Sequence, residues 1–354
     1  MLRYRAGLAD MPRYDVVERD WRIKVNANES TLNMPPMVED RLLGRLAQVA
    51  FHRYPNEQMD LLREQIGSAY GFRKENVIIG AGSSEIIEKV FHCFGGSGQK
   101  IVYPMPSFSM YNIYAKAAEA QGIPVDLEED FSLDVRKFID TVNREDASLA
   151  VICNPNNPTG NVLTLDEVEE IAANIACAFL LDEAYMEFYG ESATKTLLAK
   201  YPNMMVARTF SKAYGLAGVR VGYMLAAADI IRMLEKAYMP YYMNVLSLVT
   251  ADTVFQMRYE YQPRIDMTIA ERKRMQEALS EIKAIRVYPS AANFILIEYD
   301  KAKELQEEME AAGIGVRCFA SSPRLKNCLR ISMGTREEND AWYALLKSFA
   351  ERNG

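Results

Sequence analysis

The chain has 354 residues, 49% apolar and 25% charged, enough for one large core and a smaller satellite domain of an ordinary globular protein. A formal net charge of -7 offers no general attraction for nucleic acid or an anionic membrane, although a pocket in an acidic protein can still be locally basic. Five scattered cysteines and two histidines weigh against a disulfide framework and a histidine-based metal site, and no apolar run reaches membrane-spanning length, so a cytoplasmic protein without a structural metal is expected.

In chain order, valine- and isoleucine-rich runs at 77–80, 100–103, 149–153, 178–181, 205–209 and 221–225 read as strands. Helices such as 84–94 and 165–175 separate them, the second opened by a capping box of Thr164 with Glu167 three residues on. The alternation predicts an α/β fold with a large, mostly parallel sheet covered by helices. From about Thr268 the pattern becomes a long charged helix, an apolar run at 293–297 and a helix ending near Gly313. Further strands at 315–317 and 329–331 and a closing helix from about Glu337 complete a smaller α/β unit. The expected division is 1–29 as an N-terminal segment joined to the small domain, 30–265 as the large domain and 266–354 as the small one.

Four segments carry chemistry. Gly80-Ala81-Gly82-Ser83-Ser84 lies between a strand and a helix, where backbone amides and small hydroxyls suit a phosphate, or simply cap the helix. Its spacing fits neither a dinucleotide fingerprint nor a P-loop. Cys153-Asn154-Pro155-Asn156-Asn157-Pro158-Thr159-Gly160 leaves a strand as a rigid loop and can offer the Asn157 amide at the carboxyl edge of the sheet. Asp182, at the end of the apolar Leu180-Leu181, either caps a helix or faces a cation such as a pyridine nitrogen, with Tyr185 as a donor beside it or a packed ring. In Arg208-Thr209-Phe210-Ser211-Lys212 a lysine follows an apolar run, with hydroxyls one and three positions before it and Arg220 eight after. A lysine so placed can form a Schiff base with an aldehyde while its neighbours hold a phosphate. Pyridoxal phosphate is the cofactor that needs this whole set.

The chain also contains Asn26-Ala27-Asn28-Glu29, Arg53-Tyr54-Pro55, Pro289-Ser290-Ala291-Ala292-Asn293-Phe294 and Leu329-Arg330-Ile331-Ser332-Met333-Gly334-Thr335. Together with the asparagine-rich loop, Asp182-Glu183-Ala184-Tyr185 and Ser211-Lys212 with Arg220, these motifs resemble the fold type I pyridoxal-phosphate aminotransferases. Over nearly the whole chain the resemblance is to the histidinol-phosphate aminotransferase family. It implies that Lys212 carries the cofactor aldehyde and later shuttles the proton. Asp182 would pair with the pyridine nitrogen, and Asn157 and Tyr185 would meet the ring oxygen. Ser83, Ser84, Thr209, Ser211 and Arg220 would hold the cofactor phosphate, Phe108 would stack on the ring, and Tyr54 would reach the phosphate from the other subunit of a homodimer with shared active sites. Arg330 would clamp the carboxylate of glutamate or 2-oxoglutarate; Tyr14, Asn28 and Arg317 would border the phosphorylated amino-alcohol substrate. The implied reaction is a reversible ping-pong amino transfer between L-histidinol phosphate and 2-oxoglutarate, giving imidazole-acetol phosphate and glutamate in histidine biosynthesis.

Three departures from the family pattern stand out. Ser84 replaces a frequent aspartate and keeps the backbone amide; Phe108 replaces a common tyrosine and keeps the stacking face. Glu29-Ser30-Thr31-Leu32-Asn33 replaces the more usual asparagine-proline-glycine-like continuation and borders the substrate. Two rivals on the same fold are an L-threonine O-phosphate decarboxylase of cobalamin biosynthesis, which carbon dioxide release would identify, and an aromatic amino acid aminotransferase, which would be indifferent to a substrate phosphate. A cofactor-binding regulator or scaffold is the non-enzyme alternative, in which Lys212 would be dispensable.

Overall fold

A computed structural model describes Leu8, Met11 and residues 19–320 and 322–353; Tyr14 lies outside the described residues. A two-residue strand, β1 (Ile23–Lys24), is followed by β2 (Val77–Gly80), β3 (Lys100–Met105), β4 (Gln121–Asp126), β5 (Leu149–Cys153), β6 (Ala178–Asp182), β7 (Met204–Thr209) and β8 (Gly222–Ala226). The last seven form one sheet in the order β2-β8-β7-β6-β5-β3-β4, parallel except where β8 runs against β2 and β7. Every residue of β5, β7 and β8 is buried, because helices cover both faces and each side chain, up or down, meets apolar neighbours. Alternate residues divide between two cores: Ala150, Ile152, Leu181 and Val206 on one face, Val151, Cys153, Leu180 and Met205 on the other.

The mostly parallel sheet and the Thr164 capping box agree with the sequence pattern: Thr164 N–H donates to Glu167 Oε2 at 2.7 Å, and Glu167 N–H donates to Thr164 Oγ1 at 3.3 Å. Strand β4 has no counterpart among the predicted strands. It lies at the edge of the sheet, carries Pro124 and buries only Val125, so it lacks the continuous apolar run that marks a central strand.

A second sheet, of β9 (Arg286–Val287), β10 (Phe294–Glu298), β12 (Arg317–Cys318) and β13 (Cys328–Ser332), has the antiparallel order β12-β13-β10-β9. Strand β11 (Ile314–Gly315) instead pairs in parallel with β1. The single strand expected at 315–317 is therefore two, which pair with different partners. Gly315 is required there: a Cβ would stand 2.8 Å from the Trp21 ring. The charged helix begins at Gln262, earlier than expected, with Pro263 in its first turn where the missing N–H costs nothing. It packs with Ala302–Ala311 and Arg336–Asn353 over a third core containing Met275, Leu305, Met309 and Trp342. The N-terminal segment is stitched to this unit: Val25 N–H donates to Gly315 O at 3.0 Å, and Ser332 N–H donates to Val25 O at 2.9 Å.

Trp342 is fully buried, and its indole N–H donates to Asn339 Oδ1 at 3.1 Å, which also accepts from Gly334 N–H at 2.9 Å. Trp342→Ala should lower unfolding free energy by about 3–5 kcal/mol, since it leaves a large void and frees one acceptor; urea titration by tryptophan-independent circular dichroism measures it.

Candidate active site

The carboxyl ends of β3, β5, β6 and β7 open into one cavity of about 540 Å³, walled on its far side by residues 26–29 and by β12 and β13. Ser83, Ser84, Phe108, Asn157, Asp182 and Tyr185 line it. So do Thr209, Ser211, Lys212 and Arg220, and, of the expected substrate residues, Asn28, Arg317 and Arg330. Tyr54 does not: it is 74% exposed on the outer surface and stacks on Tyr241 with ring centroids 4.1 Å apart.

Lys212 follows the turn after β7, and its Nζ donates to the Ala27 carbonyl at 3.0 Å. Burial, aided by the positive charges of Arg330 and Arg220, lowers its pKa to about 8; Glu29 and Asp182 oppose the shift. A lysine so perturbed supplies free amine near neutral pH. Asp182 ends β6 and is 3% exposed. Its Oδ2 accepts from the Tyr111 hydroxyl at 2.9 Å and its Oδ1 from Ala184 N–H at 3.2 Å. Burial still pushes its pKa up to about 6, so a cation set against this carboxylate gains strongly.

Asn28 Nδ2 donates to the Tyr185 hydroxyl at 3.0 Å, which leaves the phenolic proton as a donor elsewhere, and burial raises that phenol's pKa. Asn28 is itself fixed, with its N–H donating to Ser332 Oγ at 2.9 Å and its carbonyl accepting from Asn293 Nδ2 at 3.1 Å. In the structure Asn28 thus orients Tyr185 as well as lining the cavity. Asn157 Oδ1 accepts from Arg330 Nη1, so its amide hydrogens remain the donor face. Arg330 Nη2 donates to Asn26 O at 2.8 Å.

The corner of the cavity at the start of helix Ser83–Phe94 depends on two glycines. Gly82 has φ +86°, and a Cβ there would stand 2.3 Å from Arg220 Nη2. A Cβ on Gly222 would stand 2.2 Å from Ser83 N. Their bareness lets the arginine approach the start of helix Ser83–Phe94, whose amides receive no side-chain cap. Arg220, at φ 57° in the left-handed region, donates through Nη2 to Ala81 O at 3.3 Å and through Nη1 to Ser211 Oγ at 3.5 Å. Thr209 Oγ1 and Ser211 Oγ are 3.0 Å apart. Guanidinium, hydroxyls and helix amides together form a receptor for a dianion.

Two neighbouring groups were not foreseen. Tyr111 sits one turn after Phe108, and that three-residue spacing is the only sign in the sequence that it shares the site. Arg208 is buried with Glu183 (3.3 Å) and Glu187 (2.8 Å), tying the ends of β6 and β7 together beside the cavity. At the mouth, Arg19 pairs with Glu310 at 3.1 Å and lies 5.6 Å from the Trp21 ring centroid.

An amine of lowered pKa, a buried carboxylate and a dianion cup around one cavity define the class of protein. The family model for aminotransferases of class I and II matches residues 22–344. A histidinol-phosphate aminotransferase of Ruminiclostridium cellulolyticum is 36% identical, over 96% of this chain and 97% of its own length. One from Pyrococcus furiosus is 37% identical, over 96% and 95%. The histidinol-phosphate aminotransferase of Sinorhizobium meliloti, solved in complex with pyridoxal-5'-phosphate, superposes with a TM-score of 0.86 at 23% identity, over 95% of this chain and 92% of that one, and shares the fold. The chain belongs to the histidinol-phosphate aminotransferase family of class I and II aminotransferases.

The depressed pKa of Lys212 has a stability consequence with a definite sign. Because the folded value (about 8) lies below a lysine's ordinary 10.5, the unligated protein gains stability as pH rises through that interval and loses it as pH falls through about 8. The full shift corresponds to roughly 3 kcal/mol, which solvent reaching the half-buried side chain reduces to about 1–2 kcal/mol. Lys212→Met should therefore be more stable than the unligated parent at pH 7, with the gap closing by pH 10.5; paired denaturant melts across pH measure it.

Proposed function

We propose that the chain is a histidinol-phosphate aminotransferase that binds pyridoxal 5'-phosphate and moves an amino group reversibly between L-histidinol phosphate and 2-oxoglutarate, giving imidazole-acetol phosphate and glutamate. The observation that carries this reading is the Lys212 amine in one cavity with Asp182, Tyr185, Asn157 and the Arg220 corner. The residues fit the cofactor group by group. The corner built on Gly82 and Gly222 takes the phosphate, with Ser83, Ser84, Thr209, Ser211 and Arg220 as its donors. Asp182 takes the ring nitrogen, Asn157 and Tyr185 the ring oxygen, and Phe108 the ring face.

When bound, pyridoxal phosphate supplies the electron sink that makes loss of a proton from the substrate carbon feasible. Asp182, ionised against a ring cation, keeps that cation protonated. Lys212, partly neutral near its pKa of about 8, would hold the cofactor's aldehyde end, and its amine, when free, would hold and deliver the proton at the substrate carbon. One lysine serving two half-reactions gives a ping-pong cycle. Arg330, oriented by Asn157 and the Asn26 carbonyl, receives the carboxylate of glutamate or 2-oxoglutarate. Arg317 and Lys303, beside the Arg19–Glu310 pair, add positive charge to the same wall, which suits the substrate phosphate; Tyr14, outside the described residues, is assigned to that phosphate as well.

The exposed Tyr54 and its Tyr241 stack belong to the outer surface, and we assign Tyr54 to the cofactor phosphate of a second copy in a homodimer with shared sites. Among the described residues, we assign 19–29 and those from 266 onward to the small domain and 30–265 to the large one. None of the described helices is long and apolar enough to cross a membrane, and the cytoplasm is the proposed place of action.

The test is a half-reaction. Adding L-histidinol phosphate alone to the cofactor-loaded enzyme should bleach the visible band near ~420 nm and raise one near ~330 nm, with 2-oxoglutarate reversing the change. Lys212→Ala should abolish both. A spectrum that L-histidinol phosphate leaves untouched, with L-threonine O-phosphate releasing carbon dioxide, would assign the chain to the decarboxylases instead.

A further inference from the structure

Tyr111 is fully buried on the helix Met110–Ala117, and its hydroxyl donates to Asp182 Oδ2 at 2.9 Å, beside the Cys153 thiol, with which it also interacts. Its ring is held from three sides: Phe91 stacks at 6.1 Å, Tyr103 is tilted at 6.3 Å, and Phe108 meets it edge-on at 5.6 Å and 89°. That packing fixes the hydroxyl, which a buried tyrosine must pair. The other oxygen of Asp182 is tied to Ala184 N–H, and the Asp182 carbonyl accepts from Asn154 N–H at 2.9 Å. The neighbouring Cys153 thiol donates to Pro155 O at 3.2 Å.

We infer that Tyr111 is a positioning residue for cofactor recognition: its hydroxyl fixes the Asp182 carboxylate in the orientation and the ionised form that pair with the pyridine nitrogen. This rests on the assignment of Asp182 to that nitrogen. The physical reason is competition. Burial favours the neutral acid, which cannot hold a ring cation, and the donated O–H bond opposes that tendency by stabilising the carboxylate. The helix bearing Tyr111 also carries its edge-on contact to Phe108, so one rigid aromatic group supports both the face and the nitrogen of the ring. Tyr111→Phe keeps every ring contact and removes only the hydroxyl.

The experiment compares equilibrium binding of two probes to the full-length protein freed of cofactor: pyridoxal phosphate, and its 1-deaza analogue in which C–H replaces the ring nitrogen. Tyr111→Phe should weaken pyridoxal phosphate about tenfold, the effect of losing a hydrogen bond to a charged group, and leave the analogue within about twofold. Equal weakening of both probes, or none, would reduce Tyr111 to a packing residue and overturn the inference. Asp182→Ala tests the underlying assignment separately: it should erase the preference for pyridoxal phosphate over the analogue, and a retained preference would mean that Asp182 does not pair with the nitrogen. Fluorotyrosine at position 111, a stronger donor of nearly the same shape, should tighten pyridoxal phosphate alone. It decides the matter should the phenylalanine variant not fold, and an unchanged ratio of the two affinities would then count against the proposal.

Discussion

Parallel pairing of β5, β6 and β7 sets Cys153 beside Asp182 and Asp182 beside Ala207, so chain segments separated by tens of residues end on one level. Each strand then releases its loop into the same space. The Asn157 turn, the Asp182-Tyr185 turn and the Thr209-Lys212 turn are neighbours because of hydrogen-bond register, not proximity in sequence. A one-residue slip in β6 would invert its faces and turn Asp182 away from the cavity side. The separate packing of alternate residues into two different cores opposes such a slip, since each apolar side chain already fits its own neighbours.

On that frame the cavity concentrates groups that water would otherwise keep at ordinary pKa values. Lys212 and Asp182 are displaced toward neutrality from opposite directions, and each is poised to regain favourable interactions from a ligand that supplies an aldehyde and a ring cation. Arg208, with Glu183 and Glu187, is a different case: its guanidinium pairs with both carboxylates inside the protein and binds the two strand ends to each other. Buried charge thus serves recognition on one side of the strand ends and alignment on the other.

The large sheet was readable because its central strands are sandwiched and therefore uniformly apolar, and because Thr164 and Glu167 spell out a helix start. Edge strand β4 escaped notice because a half-exposed strand containing Pro124 carries no such run. The cofactor-facing residues were readable because a phosphate, an aldehyde and a ring nitrogen each require particular residue types next to strand ends. Tyr111 was not, since a tyrosine that acts through another side chain looks like any core aromatic until its hydroxyl is seen against Asp182. Nor was the division of 315–317 between two sheets, which depends on the Trp21 ring lying over Gly315.

The site also spans the chain from end to end. Asn28, which holds the Tyr185 hydroxyl, is anchored by Ser332, and Arg330 orients Asn157. During synthesis the large sheet has its strands available once residue 226 has left the ribosome, yet Ser332, which accepts from Asn28 N–H, follows only more than a hundred residues later. A nascent chain can therefore build the cup for the phosphate well before it can fix the donor to the ring oxygen. Any truncation that removes β13 should yield a protein that is folded around its main sheet and still has an unfinished ligand-binding wall.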